Sequence, residues 1–273
     1  MNFTKYQGTG NDFVIINGNK EDFDRSDYAA VRAICDRKFG IGADGFIVVS
    51  DSEEADFEML YYNADGKPGS MCGNGGRCAV TFAYSNGFFT SGECRFMAYD
   101  GMHEARIMPE TSVVELKMSN VETFELGNRM TIMDTGSPHY VTLVEDIDDI
   151  DIVEAGKVIR YSPRFTEEGI NVNFVENKSD FLEVATYERG VEDETLSCGT
   201  GVTASALSFH VLQNGRSAAS GELEVKVHTK GGDLKVKFEY DGSVFSNIWL
   251  VGKGEKVFDG CIDLEKIENN NPA

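Results

Sequence analysis

Two cysteine motifs, 126 positions apart, constrain this chain more than any other feature because they belong to a longer internal repeat. Ser70-Met71-Cys72-Gly73-Asn74-Gly75 is echoed by Leu196-Ser197-Cys198-Gly199-Thr200-Gly201. The strand-like run Phe57 to Asn63 has its counterpart in Leu182 to Glu188, at an offset of 125, and Gly8-Thr9-Gly10-Asn11 has its own in Asp134-Thr135-Gly136-Ser137, at 126. Each cysteine motif opens an apolar run that ends at an Asn-Gly pair, Asn86-Gly87 or Asn214-Gly215, a composition that suits a helix C-terminus. Four segments in the same order at a near-constant spacing make the chain two copies of one unit of about 125 residues.

Within each copy, short alternating runs surround one longer apolar helix. The helix over 75–85 carries Cys78, Ala79, Val80, Phe82 and Ala83, and the one over 202–212 carries Ala204, Ala206, Leu207, Phe209 and Val211. Both are apolar most of the way round, as a buried helix is. Such a unit is α+β, a curved, mostly antiparallel sheet wrapped around a central helix. The expected fold is two pseudo-symmetric repeats of it with an active site in the cleft between them. The halves are expected over 1–119 and 120–258, with the tail 259–273 returning to the first.

Charge and cysteine usage exclude several classes. With 25 Lys and Arg against 46 Asp and Glu the formal net charge is −21, a surface that repels nucleic-acid phosphates and anionic lipid head groups. The acids are dispersed, as on a solvated surface. No run approaches about 18 apolar residues and the N-terminus has no charged-then-apolar signal, so a soluble, cytoplasmic protein is expected. Six cysteines at 35, 72, 78, 94, 198 and 261 form no dense framework in a chain of 273 residues, and reduced thiols follow.

Cys72 and Cys198 are the cysteines matched between the copies, and each stands just before the first turn of its helix. That position offers a partial positive charge and backbone N–H groups without helical partners, which favour thiolate over thiol. The N–H groups of Gly73-Asn74 and Gly199-Thr200 can grip a carboxylate. One thiolate and one opposed thiol suit the inversion of a stereocentre: one takes a proton from one face, and the other delivers a proton to the opposite face. Helix N-termini aimed at an α-carboxylate stabilise the developing charge without a metal or pyridoxal cofactor. Against this stands a bland reading, two structural cysteines packed at helix starts. Zinc is disfavoured because Cys72 and Cys78 lack the close pairs and His partners of a tetrahedral site.

The run Asn63-Ala64-Asp65-Gly66, then Met71 to Arg77, with Tyr187-Glu188-Arg189-Gly190 and Cys198-Gly199-Thr200-Gly201, resembles the diaminopimelate epimerase family. Gly8 to Phe13, Gly40 to Gly45, Pro138-His139 and Asn171 to Phe174 extend the resemblance over essentially the whole chain. The resemblance implies cofactor-independent epimerisation of LL-2,6-diaminopimelate to the meso form, a step toward lysine and peptidoglycan, in a homodimer. It implies that Cys72 and Cys198 carry the proton, with Cys72 the base toward the LL isomer. The backbone of Gly73, Asn74, Gly199 and Thr200 then holds the reacting carboxylate. Asn11, Asn63, Asn171, Glu188 and Arg189 orient the substrate and recognise its distal end, and His139 and Glu188 tune the cysteines. Asn63 and Asn171 as turn residues, Glu188 and Arg189 as a surface ion pair, and His139 as a structural histidine remain the alternatives.

Three residues depart from the family pattern: Gly45 where some members carry Gln, Ser137 where Asn is usual, and Lys67 where Ser is common. Cys35, Cys78, Cys94 and Cys261 have no matched partner and are expected as small buried hydrophobes. Two rivals stand beside the main reading, a proline or hydroxyproline racemase of the same fold and a non-catalytic two-domain binding protein. Asn74 where those racemases carry His, and retention of both cysteines, argue against them.

Overall fold

The computed structural model describes residues 1–215, 221–264 and 266. Contacts divide the chain into two compact units, Met1–Leu116 with Lys253–Ala273, and Lys117–Gly252. The second crossing precedes the expected position 259 because the chain is already paired with the first strand from Glu255 onward. Residues 265 and 267–273 of the tail lie outside the described residues.

The first half of the chain contributes β1 (Asn2–Gly8), β2 (Asn11–Asn17), α1 (Tyr28–Cys35), β3 (Gly45–Ser50), β4 (Phe57–Asn63), α2 (Gly73–Ser85), β5 (Glu93–Ala98), β6 (Gly101–Met108) and β7 (Val113–Lys117). The second contributes β8 (Phe124–Leu126), β9 (Met130–Asp134), β10 (Pro138–Val144), α3 (Ile152–Arg160), β11 (Asn171–Asn177), β12 (Leu182–Glu188), β13 (Asp193–Thr195), α4 (Gly199–Asn214), β14 (Gly221–Thr229), β15 (Gly232–Tyr240) and β16 (Phe245–Lys253). The return strand is β17 (Glu255–Cys261).

The pairing pattern makes the repeat explicit. In the first unit, β1 to β7 pair in sequence order, parallel at β2/β3 and β4/β5 and antiparallel elsewhere, with β17 antiparallel to β1. In the second, β9, β10, β11, β12, β14, β15 and β16 pair in that order, parallel at β10/β11 and β12/β14 and antiparallel elsewhere. Registers match too: Phe13 pairs with Gly45, and His139, 126 residues after Phe13, pairs with Asn171.

Each sheet wraps a central helix, as the α+β reading requires. Helix α2 packs against β1, β2, β3, β4, β6 and β17, and α4 against β9, β10, β11, β12, β14 and β15. Their faces are buried nearly all round, with Ala79, Val80 and Ala83 in one and Val202, Ala204, Ala206 and Leu207 in the other fully enclosed. Small hydroxyls inside them turn back on the preceding turn: Thr81 donates to the Arg77 carbonyl, Thr203 to that of Gly199 and Ser205 to that of Gly201. No buried hydroxyl of these three is left unsatisfied, so polar atoms fit inside an apolar core.

Sequence and structure differ at three points. Both central helices start immediately after the cysteine, at Gly73 and Gly199, because glycine-rich first turns hide the apolar period. Helices α1 and α3 escaped the periodicity; their 8 and 9 residues are fewer than the window of about 11 that a helical period needs. Each joins two parallel strands, a crossover that a tight turn cannot make. Cys35, Cys78 and Cys94 are buried as expected, but Cys261 is exposed at the end of β17, a strand whose side chains are largely solvent-facing.

The central helices should dominate stability. Leu207→Ala removes a fully enclosed side chain and should lower the unfolding free energy by about 2–5 kcal/mol. Asp151→Ala, which removes only the cap of α3, should cost about 1 kcal/mol. Urea unfolding followed by circular dichroism checks both.

Candidate active site

Two kinds of helix start coexist in this molecule. The outer helices α1 and α3 open on aspartates whose carboxylates accept the N–H groups of Ala30, at 2.9 Å, and Glu154, at 3.0 Å. The central helices α2 and α4 open instead on Cys72 and Cys198, in extended backbone conformation, with no side-chain cap and no acid in the first turn. The first intrahelical bonds are Gly76 N–H to the Cys72 carbonyl, 2.7 Å, and Val202 N–H to the Cys198 carbonyl, 2.8 Å. The N–H groups before them therefore have no helical acceptor and point along the positive end of the helix dipole. Cys72 is half-buried and Cys198 buried.

Around Cys72 the surroundings are ionic. Asn11 Oδ1 lies 3.7 Å from Cys72 Sγ and accepts Asn74 Nδ2–H at 3.3 Å. Asn11 Nδ2 donates to Asp44 at 2.7 Å, which fixes the amide with its oxygen toward the sulfur. Asp44 and Asp12 share the Arg37 guanidinium, and Lys5 pairs with Asp12 at 2.7 Å. Burial pushes the Asp12 carboxyl up, but the bonds from Arg37 and Lys5 outweigh it and hold it down at about 2. Asn74 Oδ1 in turn accepts Arg77 Nη2–H at 3.0 Å.

Beside Cys198 the described hydrogen-bonding groups are neutral. Thr200 Oγ1 lies 3.4 Å from Cys198 Sγ and 2.9 Å from His139 Nε2. On the far side of the ring, His139 Nδ1 is 2.9 Å from Asn173 Nδ2, which also donates to the Tyr140 carbonyl, while Asn173 Oδ1 accepts from Thr186. The carbonyl at Tyr140 can only accept, so Asn173 presents N–H to Nδ1 and the imidazole proton sits on Nε2. His139 then donates to Thr200 Oγ1, which leaves the hydroxyl able either to donate to the sulfur or to accept from it. His139 is fully buried, and burial, reinforced by the Arg189 cation, lowers its pKa from 6.5 to about 3.

The residues named from sequence fall into these groups. Cys72, Gly73, Asn74 and Asn11 adjoin one another at the start of α2; Cys198, Gly199, Thr200 and His139 do so at the start of α4. Asn171 accepts the Arg189 N–H at 2.8 Å and donates to Ser137 Oγ at 2.6 Å, so Ser137 is engaged by Asn171. Arg189 Nη1 donates to the Glu168 carbonyl at 2.9 Å, and Glu188 is half-buried at the end of β12. Asn63 stays within its own turn, bonded to Tyr61 and Lys67, in keeping with the turn alternative; Lys67 is exposed and pairs with Asp65. Gly45 is required sterically, since a Cβ there would lie 2.5 Å from the Tyr61 ring. Gly201 is likewise required by Asn173 Oδ1, 2.4 Å from such a Cβ. Sequence reading assigned no role to Asn173, although Asn171 and Asn173 alternate onto one face of a strand, a signal that period-two inspection would have found.

Because the folded His139 binds its proton more weakly than the unfolded chain, its contribution is complete above pH 6.5 and declines as pH falls toward 3. Urea unfolding between pH 7 and 4 should lose up to about 1.4 kcal/mol per pH unit through this group. His139→Gln should remove that part of the slope.

The sequence profile described as Diaminopimelate epimerase matches residues 3–124 and 131–257. A diaminopimelate epimerase of Flavobacterium psychrophilum is 41% identical over 263 residues, covering 96% of this chain and 100% of that protein. Among solved structures, a phenazine biosynthesis protein of the PhzF family from Bacillus anthracis superposes with TM-score 0.73 at 12% identity, covering 95% of this chain and 98% of the other. A hydroxyproline epimerase from Agrobacterium vitis does so with TM-score 0.64 at 15% identity, covering 95% and 91%. At such identities these two structures speak for the fold.

Proposed function

The chain belongs to the diaminopimelate epimerase family, and we propose that it interconverts LL- and meso-2,6-diaminopimelate by two-base proton transfer, with Cys72 and Cys198 as the carriers. The observation that carries this reading is the pair of uncapped helix starts, each with a cysteine at the capping position of the same repeated unit. One thiolate removes the α-proton while the other thiol delivers a proton to the opposite face, and the reverse reaction exchanges the roles. Cys72 is the base toward the LL isomer. A thiolate beside helical N–H groups is stabilised, and so is the carboxylate of a substrate whose α-carbon becomes carbanionic.

The remaining roles belong to the same reading. Backbone N–H groups of Gly73 and Asn74, and of Gly199 and Thr200, hold the reacting carboxylate. Asn11 offers Cys72 an acceptor when the sulfur is protonated; Thr200, oriented by His139, offers Cys198 a donor when it is not. Asn63, Asn171, Glu188 and Arg189 orient the substrate and its distal amino-acid end, the Arg189 guanidinium being a fork for a second carboxylate. No metal or organic cofactor takes part. The family also supports a homodimer in the cytoplasm, which light scattering and fractionation test; among the described residues no helix is long and apolar enough to cross a membrane.

Cys72→Ala and Cys198→Ala should each cut stereoinversion of LL-diaminopimelate about a thousandfold or more while leaving the circular dichroism spectrum unchanged. In heavy water the product isomer should acquire deuterium ahead of recovered substrate. Wild-type rates in both alanine variants, or deuterium appearing first in substrate, would overturn the two-base reading.

A further inference from the structure

Arg77 is fully buried inside α2, and nothing in the proposed reaction yet uses it. Long helical side chains lean toward the helix N-terminus, and this one does: Nη1 donates to the Gly73 carbonyl at 3.1 Å, and Nη2 to Asn74 Oδ1 at 3.0 Å and Thr9 Oγ1 at 3.2 Å. Nε donates to the Lys253 carbonyl at 3.2 Å. Every one of these acceptors is neutral, and among the described residues no carboxylate comes within 4.0 Å of the guanidinium. A full cation therefore sits at the positive end of a helix, where an anion is normally favoured, and inside a protein, where an unpaired charge is strongly disfavoured. Its bonds hold the first turn in shape, yet a neutral side chain could serve that purpose without burying a charge.

We propose that Arg77 is a positioning residue whose guanidinium supplies the counter-charge for an anion at Cys72 Sγ. The inference rests on Cys72 being a proton carrier. Two sulfurs feel this cation, Cys78 and Cys72, while burial works against it. Cys78 is fully enclosed and burial raises its pKa well beyond that of a free thiol, so it stays protonated and Cys72 is left as the partner. Two acids border the same turn: Asp44, which is paired with Arg37 and reaches it through Asn11, and Asp100, which contacts His103 and accepts the Met71 N–H at 3.1 Å. Asp44 is offset by Arg37, whereas Asp100 opposes a thiolate and Arg77 counters it. A reversible proton carrier needs both forms accessible, and here Asn11 Oδ1 serves the thiol and Arg77 the thiolate.

The test reads the thiolate directly, without turnover. The full-length protein is treated with iodoacetamide across pH 5 to 10, and the rate at the Cys72 peptide is followed by mass spectrometry, with exposed Cys261 as internal control. Arg77→Gln should move the Cys72 profile to higher pH and slow alkylation at pH 7 about tenfold, with Cys261 unchanged. Arg77→Lys, which keeps the charge and loses the fork, should stay within about threefold of wild type. An unchanged Cys72 profile in folded Arg77→Gln overturns the proposal. Should that variant fail to fold, Arg77→Lys decides alone: a near-wild-type profile upholds the counter-charge, and a tenfold loss overturns it. Failure here leaves the two-base reading standing, since that reading is tested separately by the activity of the cysteine variants and by the order of deuterium uptake.

Discussion

The starts of α2 and α4 are the constraint from which the rest of the architecture follows. A helix that begins inside a protein brings N–H groups and a partial positive charge into a low-dielectric setting, where they demand an anion. The outer helices meet that demand with their own aspartates. The central helices meet it with a side chain that becomes an anion only when it loses a proton. Leaving out a carboxylate cap forgoes about 1 kcal/mol at each helix, a stability cost that two sheets wrapped around fully buried helices can absorb. Close packing at the same turn accounts for Gly201, where a Cβ would run into Asn173 Oδ1.

The repeat preserves backbone and lets chemistry diverge. At offset 126, Phe13 corresponds to His139, Gly45 to Asn171 and Arg77 to Thr203. Strand order, parallel pairs and helix starts are common to both units, whereas the first surrounds its sulfur with ions and the second with neutral hydrogen bonds. This division has a physical logic. A pleated register fixes which residues lie beside the helix start, so a substitution at one of those positions changes the electrostatics around the sulfur without moving the scaffold.

Much of this was legible in the chain. Repeat, α+β class, central helices and both cysteines came from spacing and apolar content, because these are local or periodic signals. What stayed hidden depends on contacts distant in sequence. The engagement of Ser137 by Asn171 and the tautomer of His139 depend on neighbours on other strands or loops, and the steric need for Gly45 on a ring from β4. The bonds that hold Asn63 at the end of β4, from Tyr61 and to Lys67, are likewise set by the fold. Helices α1 and α3 were missed because eight or nine residues carry too little period, although the parallel strand pairs make a crossover between them necessary.

The two networks also treat charge in opposite ways, and the contrast bears on the proposed exchange of roles between the two thiols. The His139 ring is kept neutral by burial, with a pKa near 3, so across the physiological range it remains an Nε2–H donor to Thr200. The Arg77 guanidinium, by its intrinsic chemistry, remains a cation over the same range. Neither partner therefore competes for the proton in transit. In the two-base reading, a bonded neighbour that took up the proton itself would compete with the sulfurs, and neither Arg77 nor neutral His139 does so. On the proposed mechanism, partners that keep their protonation state confine ionisation to the sulfurs, as a reaction running in both directions through the same two groups requires.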